Sequence, residues 1–163
     1  MLALLVAAGV VPEQSNPTTG PVDVPAERLA VAAKIQTGLN IAVGIPLGAV
    51  AWQQPFDPAD HLPFGISFTE LLASDESIVA IERIGLSSAG AALGVIIDQS
   101  ADRSPIIDEA GGRRIQLWFS VDPGFQASPT FDAAGVKVPV TCRVLTSKGL
   151  RFERTAILSV RQL

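Results

Sequence analysis

Charge is scarce in this sequence. Asp, Glu, Lys and Arg make up 17% of its 163 residues, well under the roughly one quarter of an ordinary soluble domain. Little charge beside much Ala, Val, Ile and Gly describes a protein that hides a large share of its surface, in a big core or against other subunits. Tyrosine is absent, and two Trp and seven Phe supply all the aromatic side chains, so a carbohydrate platform of stacked rings is poorly provided for. A single cysteine, Cys142, excludes an intrachain disulfide and any cluster of cysteine metal ligands. Stability must then come from packing, and the composition suits synthesis in a reducing compartment. The one histidine, His61, stands in a Pro-flanked turn, FDPADHLP.

The charge that is present is unevenly placed. The net value of −4 argues against a general nucleic-acid binder, which needs a basic face. Residues 51–111 hold ten acids against Arg83 and Arg103, while residues 112–163 hold eight bases against Asp122, Asp132 and Glu153. Two readings follow. The halves pair within one fold, or they meet between neighbouring copies, where charge sets register and orientation.

Met1 to Val11 are all apolar or Gly. That run is too short to cross a bilayer as a helix, and it lacks the Lys or Arg that opens a signal peptide. It reads as an apolar arm that packs on its own domain or on a neighbour. Residues 12–25, PEQSNPTTGPVDVP, hold four prolines and form an extended linker. In 26–37 the alternation of Leu29, Val31, Ala33 and Ile35 with Arg28, Ala30, Ala32 and Lys34 favours a strand over a helix starting at Pro25. Gly44, Pro46 and Gly48 break the apolar stretch that follows, up to Trp52. Leu2, Leu4, Leu5, Val6, Val10, Val11, Ile45, Leu47 and Trp52 are the candidate interface residues of this arm.

Strand signals are clear after Pro55. Phe64, Ile66 and Phe68 alternate with small polar residues, Ser77–Ile84 and Ala92–Ile97 read as further strands, and Ile115–Val121 alternates again. Residues 98–112 read as a long polar loop. Val136, Val138, Val140, Cys142 and Val144 share one face, the turn Ser147-Lys148-Gly149 follows, and Phe152, Ala156, Leu158 and Val160 share a face beyond it. That pattern is a long antiparallel hairpin with one buried side. Short strands at turn-punctuated intervals predict an all-β, Ig-like antiparallel β-sandwich over residues 56–163, preceded by an extended N-terminal arm over 1–55. On that division, removal of residues 1–50 leaves a folded domain that no longer assembles.

Catalysis needs a nucleophile, a base and an orienting group, and no spacing here supplies them. Cys142 lies in a valine row, where burial makes a thiol inert. Asp57, Asp60 and His61 form a turn, and Asp98, Asp102, Asp108 and Glu109 a solvated loop, more readily than a cation site. The sequence points to no catalytic, metal or cofactor residues.

Residues 60–163 resemble the small Ig-like fiber–tail adaptor proteins of tailed bacteriophages. The resemblance rests on Phe64-Gly65-Ile66-Ser67-Phe68, on the turn Leu72-Ala73-Ser74-Asp75-Glu76-Ser77-Ile78, and on the final hairpin from Val140 to Arg154 with Leu158-Ser159-Val160-Arg161 at its end. It departs from that pattern at Asp132-Ala133-Ala134-Gly135, where the family pairs glycines, and in the fifty-residue extension. The resemblance implies a non-enzymatic virion protein, made in the host cytoplasm. Its partners would be tail, neck, fiber or capsid subunits and further copies of itself, without nucleic acid, membrane or cofactor. A capsid decoration protein lacing subunits with its arm is the alternative, and a glycan- or receptor-binding module using Trp52 or Trp118 is a third reading.

Overall fold

Alternating apolar and polar residues give a strand one dry face and one wet face, and two such strands joined by a tight turn share their dry faces. The last forty residues do this. In the computed structural model, which describes residues 18–34 and 48–163, β9 (Val136–Thr146) and β10 (Arg151–Val160) pair antiparallel from Val136↔Val160 to Leu145↔Arg151. Val138, Val140, Cys142, Val144, Ala156, Leu158 and Val160 are all buried. Each fully buried Val or Leu contributes about 1.5–3 kcal/mol. Gly149 takes a positive φ of 75° at the turn, a conformation glycine adopts without steric cost.

The remaining strands are β1 (Thr19–Gly20), β2 (Leu29–Val31), β3 (Val50–Ala51), β4 (Leu62–Ser67), β5 (Ile78–Leu86), β6 (Val95–Ile97), β7 (Ile106–Asp108) and β8 (Arg114–Val121). They form two sheets, one ordered β1-β7-β8-β4-β2 with β6 also on β8, the other ordered β3-β10-β9-β5. Strands β4, β8 and β7 thus face β10, β9 and β5, the interleaving of an Ig-type sandwich. Between the sheets Trp52, Phe56, Phe64 and Phe119 meet edge to face, with ring centroids 5.5–6.4 Å apart. That geometry suits aromatic quadrupoles.

The all-β sandwich expected from the sequence is therefore present, with corrections. Its sheets are mixed, because β1, β2 and β3 pair in parallel with β7, β4 and β10. All three lie before residue 56, so the described part of the arm belongs to the sandwich and the division at 55/56 does not hold. Residues 21–25 cross the outer face of β8, where Asp23 N–H donates to Gln116 Oε1 at 3.3 Å. Val24 and Leu29 then settle on Gly65, leaving no room for a Cβ there.

Strand β2 confirms the period of two but reverses its faces. Ala30 and Ala32 point into the core, 2% and 1% exposed, while Val31 is 44% exposed. The two alanines occupy the inner positions and the larger valine is left outside. Residues 35–37 of the segment expected to be a strand lie outside the described residues.

Two further expectations shift. Ser88–Ala92 is a short helix, α1, capped by Ser87 Oγ accepting from Gly90 N–H at 3.1 Å, so the third expected strand starts only at Val95. The loop expected over 98–112 contains β7, because Ile106 and Ile107 pair with Gln116 and Ile115.

Candidate functional site

Ion pairs within the chain join the two halves of the divided charge. Asp108 meets Arg114 at 2.6 Å, Asp75 meets Lys148 at 2.5 Å and Glu82 meets Arg151 at 2.8 Å. Each joins an acid of the first half to a base of the second. Most of these pairs are exposed and stabilise by less than about 1 kcal/mol each. Asp108 differs. It is buried, takes both the Nε and Nη2 of Arg114 on Oδ2, and accepts Ala110 N–H on Oδ1.

The turn 72–78 is held from inside. Arg113 donates to four backbone carbonyls: Ala73 and Glu76 from Nη1 at 2.7 and 2.9 Å, Thr69 and Leu72 from Nη2, each at 3.0 Å. Glu76 is 4% exposed. Its carboxylate accepts the Thr146 hydroxyl at 2.5 Å and Ala73 N–H at 3.0 Å. The Thr146 hydroxyl and then the Ala73 amide lower its pKa against the opposing cost of burial.

His61 sits just before β4 and touches β8. Its ring meets Trp118 edge-on at 5.5 Å, and the Arg103 guanidinium lies 5.3 Å from the same indole. His61 Nε2 is 3.0 Å from Asp98 Oδ2, and Nδ1 is 3.1 Å from Arg103 Nη1. A guanidinium only donates, so Nδ1 accepts, while Nε2, though close to Asp98, makes no hydrogen bond. Asp98 also accepts Ser100 N–H at 2.8 Å, the first cause of its lowered pKa. An aspartate behind a histidine is half of a hydrolytic triad. Here the nitrogen that would take a nucleophile's proton is occupied by Arg103.

The cluster fixes the loop 98–105 against β8, and the other side of that loop bounds a groove of about 480 Å³. Across it stands β5, at the edge of its sheet among the described residues, and the groove is lined by Ala80, Ile81, Glu82, Arg83 and Ile84 together with Gln99, Ser104 and Pro105. Two register shifts, between Ile78 and Ala80 and between Ile81 and Arg83, interrupt β5. Such bulges, with Glu82 and Arg83 exposed beside them, blunt a sheet edge against strand addition.

No family model, curated protein or solved structure matches this chain. The resemblance to fiber–tail adaptors accordingly rests on the sequence motifs quoted above.

Of the candidate interface residues, Leu2, Leu4, Leu5, Val6, Val10, Val11, Ile45 and Leu47 lie outside the described residues. Trp52 is described, and it is not a surface anchor. It is 3% exposed, packs on Phe64 and Phe119, and donates Nε1–H to the carbonyl of Gly65 at 2.7 Å. An indole with its one donor satisfied is at home in a core. Trp118 is half-buried and already flanked by His61 and Arg103, so neither tryptophan offers an open platform for a sugar.

Among the described residues no three His, Cys, Asp or Glu side chains converge as a metal site requires. Asp57 instead binds Ala59 N–H through Oδ1 and Leu163 N–H through Oδ2, both at 2.8 Å, tying the turn to the last residue. The groove and the Arg113 clamp were not legible in the sequence. Arg113-Arg114 after a glycine pair was their only trace, and it reads equally well as a solvated turn.

Proposed function

We propose that this chain is a non-enzymatic structural protein of a tailed bacteriophage particle. It serves as an adaptor that joins tail or neck to another virion component through protein–protein contacts, in several symmetric copies.

One observation carries the reading. Two of the segments on which the resemblance to fiber–tail adaptors rests are held firmly by the fold. The turn 72–78 is locked by Arg113 on four carbonyls and by the buried Glu76, and residues 140–154 lie in the hairpin whose inner face is buried in the core. Firmly held turns in a sandwich suit a protein that transmits position between larger parts. The occupied His61 and the Cys142 thiol, which burial pushes up to about 12, support a role without covalent chemistry.

Quantifying this chain against the portal protein in purified particles tests the proposal. On the order of a dozen copies or fewer, as a closed ring at one site supplies, supports the adaptor. Copies on the order of hundreds would reassign the protein to capsid decoration, and absence from particles would overturn both.

A further inference from the structure

The loop between β6 and β7, residues 98–105, is held differently in its two halves. Its start is held through the backbone. Asp98 N–H donates to the Trp118 carbonyl of β8 at 2.9 Å, and the Asp98 carboxylate accepts Ser100 N–H at 2.8 Å. Further on, the N–H groups of Arg103 and Ser104 turn back to the Ser100 carbonyl at 3.1 and 2.8 Å, bonds that stay inside the loop. Among the described residues, 101–105 make no backbone hydrogen bond to another element. What ties this stretch to the sandwich is the Arg103 guanidinium, on His61 Nδ1 at 3.1 Å and on the Trp118 indole at 5.3 Å.

That contact requires a neutral histidine. A guanidinium only donates, so Nδ1 must offer a lone pair and the single ring hydrogen sits on Nε2. Nε2 is buried, 3.0 Å from Asp98 Oδ2 and without a hydrogen bond. A second ring proton would put an N–H on Nδ1 against an N–H of Arg103, setting two donors and two positive charges face to face. The same proton draws the ring toward Asp98, whose carboxyl is held below the usual aspartate range, first by Ser100 N–H, and stays charged. Asp98 is the one carboxylate that pairs with the ring among the described residues. Asp60 beside His61 and Asp102 beside Arg103 are exposed, and Asp57 is committed to the N–H groups of Ala59 and Leu163. From β8 only Trp118 faces the ring, and it does not titrate.

We propose that His61 is a proton-operated latch for residues 101–105. The neutral ring holds Arg103 and keeps that stretch against β8. The protonated ring keeps Asp98 and releases Arg103. Ser104 and Pro105 also line the groove beside β5, so release reshapes that groove. Histidine is the side chain suited to such a device, because its charge ordinarily changes between about pH 5 and 8. The inference does not rest on the virion reading.

The full chain tests this directly, since His61 is its only histidine and the ring signals in a proton NMR spectrum need no assignment. The ring is titrated between about pH 8 and 5, and amide exchange in 101–104, corrected for its intrinsic pH dependence, is followed over the same range. Exchange should rise by about tenfold, the scale of one lost hydrogen bond with a charged partner, and its midpoint should coincide with that of the ring. His61→Gln keeps an acceptor for Arg103 but takes no proton, so its loop should stay slow throughout. Arg103→Ala should exchange fast at both ends of the range. Exchange that ignores the ring titration overturns the latch. A rise that survives in His61→Gln does so too, by placing the response on a carboxylate, and so does an Arg103→Ala loop as slow as the parent's.

Discussion

Thr146, at the end of β9, donates its hydroxyl to the buried carboxylate of Glu76 at 2.5 Å, across seventy residues of sequence. The same hydroxyl accepts the N–H groups of Leu150 and Lys148 at 3.2 and 3.3 Å. One threonine thereby joins the clamped turn to the bend of the last hairpin. Because the folded pKa of Glu76 is lowered, its contribution to stability is full above the unfolded value, about 4.3, and is lost as pH falls through the lower folded value. Glu76→Gln should lower the melting temperature at pH 7, and the gap to the parent should narrow toward pH 3. Thr146→Val should show the same sign. A gap that stays constant with pH would mean that Glu76 acts through shape and not through charge.

Arg113 spends its guanidinium on four carbonyls, a planar pattern that an ammonium cannot copy. Arg113→Ala is expected to cost roughly 1.5–3 kcal/mol, the range for hydrogen bonds with one charged partner. Arg113→Lys should recover only a minor part. Urea midpoints give the energies, and amide exchange in 69–77 should rise in both variants.

Trp52 discriminates a core role from a contact role. Trp52→Ala should destabilise the isolated chain by about 3–5 kcal/mol, and Trp52→Phe by much less, near the roughly 0.5–1.5 kcal/mol of one hydrogen bond plus some lost packing. A Trp52→Ala chain of unchanged stability that fails only in assembly would restore the anchor reading.

Truncation tests where the domain starts. A chain of residues 56–163 loses β1, β2 and β3 together with Ala30, Ala32 and Trp52 from the core. It should lose cooperative thermal unfolding or melt far below the full chain. This reverses the sequence-based expectation that residues 1–50 are dispensable for folding. A truncated protein with a sharp, unshifted transition would support the boundary at 56.

Cys142 reports on the core. Burial, with a smaller push from the negative charge of Glu153, raises its thiol to about 12, so the native thiolate is negligible at neutral pH. A bulky thiol reagent should label it only as fast as the protein opens, and denaturant should bring full reactivity. Rapid native labelling would contradict its place in the valine row.

Local, periodic features are legible in the residues alone. The hairpin from Val136 to Val160, the alternation of β4 and β8, the burial of Cys142 and the Ig-like sandwich all follow from a period of two that burial of one face makes visible. Tertiary structure alone decided the rest, because those choices depend on pairings far apart in the chain. Whether Leu29 and Val31 or Ala30 and Ala32 face inward is set by the register in which β2 pairs with β4, not by hydrophobicity. Trp52 looks the same in sequence whether it anchors a partner or donates to Gly65 in the core. Arg113 and Glu76 read as surface charges until the fold brings Thr69–Ala73 and Thr146 around them. Residues 18–34 read as a separate arm because short parallel edge pairings are too brief to imprint a pattern, and only the presence of β7 and β4 beside them makes them part of the sandwich.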